Sequence, residues 1–335
     1  MEILTRVHAK NLVAWARTRP EVVVLSADLT SSTEVDLFRD TYPDRFFSMG
    51  MTEQNMLSMA GGLAREGFYP FVHTFAVFIY RRALDQLAMS VAYPNLPVRL
   101  FGFLPGILTP GGATHQAIED VAVVRALPNM TVLETGDATD VESVLDVAQA
   151  VPGPVYVRTL RGEIPRLFPQ TEPMQLGQAR VLSEGDDMLL VTSGICTEEA
   201  LRLVPLLRRR GLSVGHLHVT TLKPMRDPTV VEAAARARLG VITMENHTVV
   251  GGLGSAVAEL LTEQGVAKRI VRLGLRDTFA HGASPRHLMR EYGIDAMALA
   301  AAVERLTGER FGIREEELAA VRIEVASPES KAEAL

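Results

Sequence analysis

The stretch Phe46-Phe47-Ser48-Met49-Gly50-Met51-Thr52-Glu53-Gln54-Asn55-Met56 joins the two patterns that decide the fold class. Residues 46–49 form a short apolar run that is typical of a buried strand, and helical spacing begins at Gln54 and continues to Arg65. A strand that passes at once into a helix is the repeating unit of α/β folds.

The same alternation of strand and helix extends along the first half of the chain. Strands are predicted at Val22 to Leu25, Phe46 to Met49, Val98 to Phe103, Met130 to Leu133 and Val155 to Val157. Helices are predicted at Gln54 to Arg65, Ala76 to Val91 and Asp140 to Ala150. This rhythm indicates a mainly parallel sheet flanked by helices, over residues 1–165.

A polar, proline-containing stretch from Gly162 to Gly177 interrupts the rhythm, and a domain boundary is predicted there. We take 166–183 as a linker, 184–310 as a second, smaller α/β domain, and 311–335 as a charged tail with one terminal helix. Strands of the second domain are predicted at Met188 to Thr192, Val214 to Val219, Leu239 to Met244 and Arg269 to Leu273. Helices are predicted near Glu198 to Arg210, Pro228 to Arg238 and Ala256 to Gln264.

Composition excludes several classes of function. The 335 residues carry a formal net charge of −6, which gives no general attraction to nucleic acid. The one cysteine, Cys196, permits neither an internal disulfide nor a cysteine metal cluster. No apolar run approaches the roughly 20 residues that span a bilayer, and the first residues lack the order of a signal peptide. We expect a cytoplasmic protein with no membrane partner.

Three features could carry chemistry, although each has an ordinary structural interpretation. Glu53 begins a helix, where an acidic side chain also complements the helix dipole. Phe75 and Phe78 could present faces to a flat heterocycle, but phenylalanines at this spacing are common in cores. His115 follows a glycine-rich turn, Pro110-Gly111-Gly112-Ala113-Thr114, and a lone histidine is weak evidence of a site.

The order and spacing of these features resemble the transketolase family. Ser26 to Leu29, Gly50 to Met56, Thr74 to Phe78, Gly112 to Gln116 and Leu127 to Met130 are similar to its pyrimidine-binding domain. Glu245-Asn246-His247 and Gly251 to Val257 are similar to its C-terminal domain. The resemblance covers roughly residues 1–310. It implies a thiamine diphosphate-binding pyrimidine domain followed by a transketolase C-terminal-like domain.

The resemblance also implies a catalytic residue and a cofactor site. In this family a glutamate hydrogen-bonds the aminopyrimidine of thiamine diphosphate and so activates the cofactor, and Glu53 matches it. Phe75 and Phe78 match the aromatics that hold the ring, and Met51 could add apolar cover. Asp28 matches an acid near the cofactor, with a helix cap as the alternative.

The resemblance also implies a partner subunit, because one segment that the family requires is missing from this chain. The family holds Mg²⁺ and the diphosphate with a Gly-Asp-Gly segment followed by an asparagine, and this chain contains no such segment. We therefore expect that half from an N-terminal-type transketolase subunit, with an α2β2 heterotetramer as the expected assembly. An isolated chain should be inactive.

Substrate residues match the family only in part. Arg6, Ser32 and Arg161 fall where transketolases hold a sugar phosphate, and each could instead be an ordinary surface residue. His115 matches a substrate-facing histidine that binds an oxygen as the ketol bond breaks. Gly111 and Phe103 stand where the family commonly has an acid and a histidine, so a substrate other than the usual sugar phosphates is equally compatible.

Other readings remain open from the sequence. The chain could be the beta subunit of a 2-oxo acid dehydrogenase, or a structural subunit that has lost its chemistry. The run Ala113 to Asp120 favours a transketolase-type transferase of two-carbon ketol units, acting on small-molecule sugars. Gly251 to Gly254 also resembles a phosphate-cradling turn, which makes the nearby His247 a secondary site candidate.

Overall fold

The computed structural model describes residues 2–323, and two mainly parallel sheets flanked by helices dominate it. The strands are β1 Ile3–Thr5, β2 Val22–Ser26, β3 Phe46–Ser48, β4 Tyr69–Phe75, β5 Arg99–Phe103, β6 Thr131–Glu134, β7 Val155–Thr159, β8 Glu163–Pro165, β9 Arg180–Ser183, β10 Met188–Thr192, β11 Val214–His218, β12 Thr221–Lys223, β13 Gly240–Thr248 and β14 Ile270–Leu275.

Helices connect these strands along the described chain. They are α1 Val7–Ala16, α2 Asp36–Thr41, α3 Glu53–Arg65, α4 Ala76–Arg81, α5 Leu84–Gln86, α6 Asp120–Ala126, α7 Ala138–Gln149, α8 Cys196–Arg209, α9 Pro228–Arg236, α10 Leu253–Glu263, α11 Pro285–Glu291, α12 Ala296–Thr307 and α13 Glu315–Ala320. A short 3-10 turn lies at Pro43–Arg45, and a π-helical segment lies at Leu87–Ala92.

The first sheet has seven strands in the order β12-β6-β7-β5-β4-β2-β3. Its strands β2, β5 and β7 are buried along their whole length, as expected for a sheet with helices on both faces. All neighbours are parallel except β12, which runs antiparallel to β6. The predicted α/β class with two mainly parallel sheets is therefore confirmed.

The second sheet has five strands in the order β14-β13-β10-β11-β9. Its edge strand β9 is antiparallel to β11 and lies inside the segment that the sequence predicts as a linker. Strand β12 belongs to the second half of the chain but completes the first sheet. The two halves of the chain are thus joined by strand pairing as well as by the segment that connects them.

A buried guanidinium lies where the two halves meet. Arg158 is fully buried, donates through Nε to Asp120 at 2.8 Å and through Nη2 to the carbonyl of Asn246 at 2.9 Å, and also pairs with Glu134. Burial alone would lower the pKa of Arg158, but the two carboxylates outweigh it and raise that pKa. Asn246 belongs to the second half, so this cation ties the halves together.

One predicted helix is interrupted in the structure. The segment Ala76 to Val91 contains neither glycine nor proline, so its pattern predicts one continuous helix. It is instead divided into α4, α5 and a π-helical segment, with Ala83 at φ −133° between the first two. The interruption coincides with Arg82, whose side chain reaches back to α3.

Helix α13 is the last helix of the described residues. The predicted terminal helix corresponds to α13, and residues 324–335 of the predicted charged tail lie outside the described residues. Within residues 2–323, no helix combines the length and apolar character that membrane crossing requires.

Candidate active site

The residues singled out from the sequence follow neighbouring strands of the first sheet. Asp28 and Ser32 follow β2, Glu53 follows β3, Phe75 ends β4, His115 lies in the loop after β5, and Arg161 follows β7. These strands are adjacent in the order β7-β5-β4-β2-β3, and all are parallel. Their carboxyl ends form one edge, which is where α/β folds bind ligands.

Glu53 is a buried acid with a single cationic partner. It is the first residue of α3, and only 2% of its surface is exposed. Arg82 donates from Nη1 to Glu53 Oε1 at 2.8 Å, although the Arg82 side chain is itself 44% exposed. A buried carboxylate requires a partner that donates a proton or carries positive charge.

Arg82 connects this acid to two aromatic rings. Phe75 and Phe78 are almost fully buried, and their rings stack with centroids 6.0 Å apart and planes inclined by 18°. The guanidinium carbon of Arg82 lies 3.9 Å from the centroid of Phe78. Arg82 thus makes two contacts at once, a hydrogen bond to Glu53 and a stacking contact with an aromatic face. A flat, polar heterocycle such as an aminopyrimidine would use the same two contacts.

His115 contacts the aromatic pair through Phe78. Its ring meets Phe78 edge-on, with centroids 5.5 Å apart at 71°, and its Nδ1 lies 2.9 Å from the hydroxyl of Thr114. The turn that carries it needs Gly112, whose φ is +72°. Arg81 holds the same turn by donating to the carbonyl of Ala113 at 2.6 Å. The turn therefore fixes the imidazole at the edge of the aromatic pair.

The first departure from the family pattern, Gly111, has a steric basis in this chain. A β-carbon added at Gly111 would lie 3.0 Å from the β-carbon of His115, so an acidic side chain there would require the turn to shift.

The second departure, Phe103, belongs to a buried aromatic cluster. Its ring packs edge-on against His8, at 5.3 Å between centroids. The Nε2 atoms of His8 and His73 lie 3.0 Å apart beside it, and both rings are fully buried. Burial lowers the pKa of both histidines, that of His8 to about 3, so neither offers a cation for a phosphate at neutral pH.

Arg6, Ser32 and Arg161 converge on one loop, a point that the sequence could not decide. Arg161 donates to the carbonyl of Ser32 at 2.6 Å, and its guanidinium carbon lies 6.0 Å from the centroid of Phe75. Arg6 donates to Asp36 at 2.6 Å, and this hydrogen bond raises the pKa of Arg6. Two guanidinium groups thus lie along the segment 32–36, and that of Arg161 also lies near Phe75.

Glu34 lies in the same segment, 32–36, and was not singled out from the sequence. It is 5% exposed, has a left-handed backbone with φ +56°, and accepts through Oε1 from the N–H of Gly162 at 2.9 Å. Its other carboxylate oxygen is buried with no hydrogen-bond partner among the described residues. Strained backbone and unsatisfied polar atoms concentrate at functional sites. No local sequence pattern predicts such a residue.

Arg82, the partner of Glu53, was also not singled out from the sequence, although a sequence pattern pointed to it. It stands four residues after Phe78, so helical spacing places the two side chains on the same face.

Asp28 and Met51 are exposed in this chain. Asp28 is exposed, and the next helix begins only at Asp36, so the alternative helix-cap role is absent. Met51 is 71% exposed and does not cover Glu53 within this chain.

The glycine turn before α10 is already satisfied from within the chain. The carboxylate of Glu245 accepts from the backbone N–H groups of Leu253 and Gly254, at 2.6 and 3.0 Å. Burial raises the pKa of this acid to about 8. His247 is fully buried, and its Nδ1 lies 2.6 Å from the carbonyl of Thr248. The helix terminus therefore holds a side chain of the protein where a phosphate would bind, and His247 serves the scaffold.

Comparison with known protein families accounts for this arrangement. The family model described as "Transketolase, pyrimidine binding domain" matches residues 4–166, and the model described as "Transketolase, C-terminal domain" matches residues 177–299. The chain belongs to the transketolase family. It corresponds to the C-terminal half of these enzymes, and membership of the family implies dependence on thiamine diphosphate.

Two relatives of similar length align with this chain over most of their own length. The transketolase family protein y4mN of Sinorhizobium fredii is 40% identical over 295 residues, which cover 88% of this chain and 86% of that protein. The 6-deoxy-6-sulfo-D-fructose transketolase subunit SqwH of Clostridium sp. is 36% identical over 297 residues, covering 88% of this chain and 92% of that protein. The 2-oxo acid dehydrogenase alternative is not favoured by these comparisons.

A solved structure is similar over nearly its whole length. It is described as a split gene transketolase, inactive beta4 tetramer, and it aligns with a TM-score of 0.81 at 38% identity. The alignment covers 91% of this chain and 98% of that one. The transketolase fold established here is thus also found in a chain of this size.

Proposed function

We propose that this chain is the pyrimidine-binding subunit of a split, thiamine diphosphate-dependent transketolase. In this proposal it transfers a two-carbon ketol unit from an anionic ketose to an aldehyde acceptor. Glu53 activates the cofactor, and a second subunit supplies the diphosphate site and Mg²⁺. The observation that carries the proposal is that one side chain, Arg82, connects the buried Glu53 to the stacked rings of Phe75 and Phe78.

The residues of this chain fit the pyrimidine half of the cofactor. Glu53 is a buried acid that can share a proton with a ring nitrogen, and Phe78 already has a flat polar group stacked on it. When bound, thiamine diphosphate supplies a nucleophilic carbon that accepts the ketol unit. Glu53 holds the proton at the ring nitrogen, Phe75 and Phe78 orient the ring and exclude water, and His115 donates to a substrate oxygen.

A partner subunit is proposed because the diphosphate half has no counterpart here. The Gly-Asp-Gly segment is missing from the sequence, and within residues 2–323 the one group of three potential metal ligands lies on a loop and α11 of the second half. Mg²⁺ prefers carboxylate, carbonyl and water oxygens around a phosphate. The similar structure described as an inactive beta4 tetramer supports the need for a second type of chain, and an α2β2 assembly remains our proposal.

An anionic ketose is proposed because two arginines lie along the segment 32–36, and one of them lies near Phe75. Arg161 and Arg6 lie along the segment 32–36, and planar guanidinium groups bind phosphate and sulfonate oxygens in pairs. The absence of an acid at position 111 and of a histidine at position 103 argues for a substrate that differs from common sugar phosphates. The relative SqwH is described as a 6-deoxy-6-sulfo-D-fructose transketolase subunit, which makes a sulfonated ketose the first donor to test.

The test combines this chain with its partner subunit, thiamine diphosphate and Mg²⁺, and follows ketol transfer from sulfonated and phosphorylated ketoses to short aldehydes. Glu53→Gln should reduce turnover by at least about a hundredfold, the usual contribution of a general acid–base group. The matched control is Glu66→Gln, which changes an exposed acid at the other end of α3 and should leave turnover unchanged. Full activity of Glu53→Gln would refute the assignment.

Two further assays separate the alternatives. Decarboxylation of pyruvate without ketol transfer would support the 2-oxo acid dehydrogenase reading. Failure of the complex to change the absorption of added thiamine diphosphate, with any partner combination, would support a purely structural subunit.

A further inference from the structure

A cluster of two imidazoles and one carboxylate lies on the surface of the second half of the chain, outside the site described above. His281 belongs to the loop before α11, and His287 and Glu291 lie one helical turn apart on α11. The Nε2 atoms of His281 and His287 lie 2.7 and 3.2 Å from the same oxygen, Oε2 of Glu291. All three groups are between 41% and 62% exposed, so ions in solution can reach them.

We propose that His281, His287 and Glu291 form a binding site for a divalent transition metal ion of the Zn²⁺ class. One ligand atom from each residue lies within 4.8 Å of the others. Two imidazole nitrogens and one carboxylate oxygen are ligands that Zn²⁺ accepts, with water in the fourth position. Ligands at about 2 Å from one ion lie roughly 3 to 3.5 Å apart, which exposed side chains reach with a small rotation.

The hydrogen bond of His281 to its own backbone supports this site. Its Nδ1 lies 3.2 Å from the carbonyl of Gly282, and because a carbonyl only accepts, the proton of the neutral ring belongs on Nδ1. The lone pair of Nε2 then points toward the carboxylate of Glu291, an unfavourable contact unless a cation lies between them. Metal-binding histidines commonly have this second hydrogen bond to a carbonyl.

The cation could also be a proton. The hydrogen bond to Glu291 raises the pKa of His281, so a proton on Nε2 would also satisfy this carboxylate. His287 approaches the same oxygen from α11, and its neutral ring can donate a hydrogen bond from Nε2. What supports a metal ion is that two imidazole nitrogens and one carboxylate oxygen, all ligands of Zn²⁺, lie around one point, and the titration below decides between the ion and the proton.

The site would act on the loop that supports the turn of His115. The carbonyl of His281 accepts from the side chain of Gln116 at 3.1 Å. The backbone of Gly282 packs against Gly112, where an added β-carbon would lie 3.3 Å from the Gly282 nitrogen. A metal ion that joins His281 to α11 would therefore hold this loop against the turn. The three ligands position this loop and contact no reacting group.

The experiment titrates Zn²⁺ into the full chain, produced without a histidine tag and stripped with a chelator, in competition with a chromophoric chelator. We expect one Zn²⁺ per chain, and a Co²⁺ substitute with the intense visible absorption of a four-coordinate site. His287→Gln and Glu291→Gln should each weaken binding by at least about tenfold. Glu232→Gln removes an exposed carboxylate on α9 and should leave metal binding unchanged.

Hydrogen exchange provides the second measurement. Bound Zn²⁺ should slow exchange of the backbone around residues 276–284 in the unmodified chain and have no effect in Glu291→Gln. Absence of saturable binding, or binding that survives both ligand substitutions, would overturn the proposal and leave a proton-mediated ion pair. Neither result depends on ketol transfer, so the outcome is independent of the proposed function.

Discussion

Arg82 donates a 2.8 Å hydrogen bond to Glu53 while its guanidinium lies against the ring of Phe78. The cation thus takes both the hydrogen bond and the aromatic contact that the proposed cofactor ring requires. A ring that enters this space must displace Arg82 from Glu53. The displaced guanidinium, already 44% exposed, would then lie free at the mouth of the site.

Removal of the charge at Arg82 should therefore strengthen cofactor binding. For Arg82→Gln we expect the dissociation constant of thiamine diphosphate, measured by calorimetry on the assembled complex, to fall roughly fivefold. This corresponds to about 1 kcal/mol, because a half-exposed ion pair is weakened by solvent. Arg65→Gln, at the exposed end of α3, is the matched control. Weaker binding in Arg82→Gln would show that Arg82 holds the ligand.

Arg161 should determine affinity for the anionic end of the substrate. Arg161→Met removes a guanidinium that lies beside Phe75 and the carbonyl of Ser32. We expect KM for a phosphorylated or sulfonated ketose to rise about tenfold or more, with kcat changed much less. A ketose without a charged group serves as the internal control, and its KM should not change. Equal losses with both substrates would contradict a role in anion binding.

The buried pair of His8 and His73 predicts loss of stability in acid. Burial lowers the folded-state pKa of His8 from 6.5 to about 3, so the unfolded chain binds the proton first. The stabilisation is complete above pH 6.5 and is lost as the pH falls toward 3, by about 1.4 kcal/mol per pH unit for each such histidine. Urea unfolding between pH 7.5 and 5 should show this slope.

Substitution of one ring provides the check on that prediction. His8→Gln should reduce the slope of the unfolding free energy with pH by about the contribution of one histidine. His287→Gln changes an exposed ring and, with chelator present, should keep the slope of the unmodified chain. An unchanged slope in His8→Gln would mean that His8 is protonated in the folded state.

Arg158 should be essential for the junction of the two halves. Arg158→Met leaves Asp120 and Glu134 buried without their cation, which should lower the free energy of unfolding by about 3–5 kcal/mol. Arg166→Met is a useful comparison, because its partners Glu2 and Glu142 are more exposed and the loss should be smaller. Equal losses in the two variants would argue against a special role for the buried cation.

Much of the fold was predictable because buried parallel strands are apolar throughout. Strands β2, β5, β7 and β10 each appear in the sequence as short apolar runs, and the structure places each within one or two residues of the prediction. Strands β9 and β12 were missed because they are short and pair with distant partners. Pairing of that kind has no local pattern.

The candidate site, like the fold, could be predicted from the sequence only in part. Glu53, Phe75, Phe78 and His115 could be recognised together from their order, and the structure links Phe78 to Phe75 and His115, and Glu53 through Arg82. Glu34 could not be found, because its importance depends on a left-handed backbone and a contact with Gly162, far away in the chain. The assignment of cofactor and substrate residues remains a prediction, which the substitutions above address.

Strand β12 matters for any attempt to produce the first half of this chain by itself. Truncation after residue 166 would follow the family boundary, yet it would remove the strand that pairs with β6. The β6 edge would then expose unpaired N–H and C=O groups, a template for association between copies. A shortened pyrimidine domain should therefore aggregate, and a useful fragment would need residues 221–223 restored, by fusion or as an added peptide.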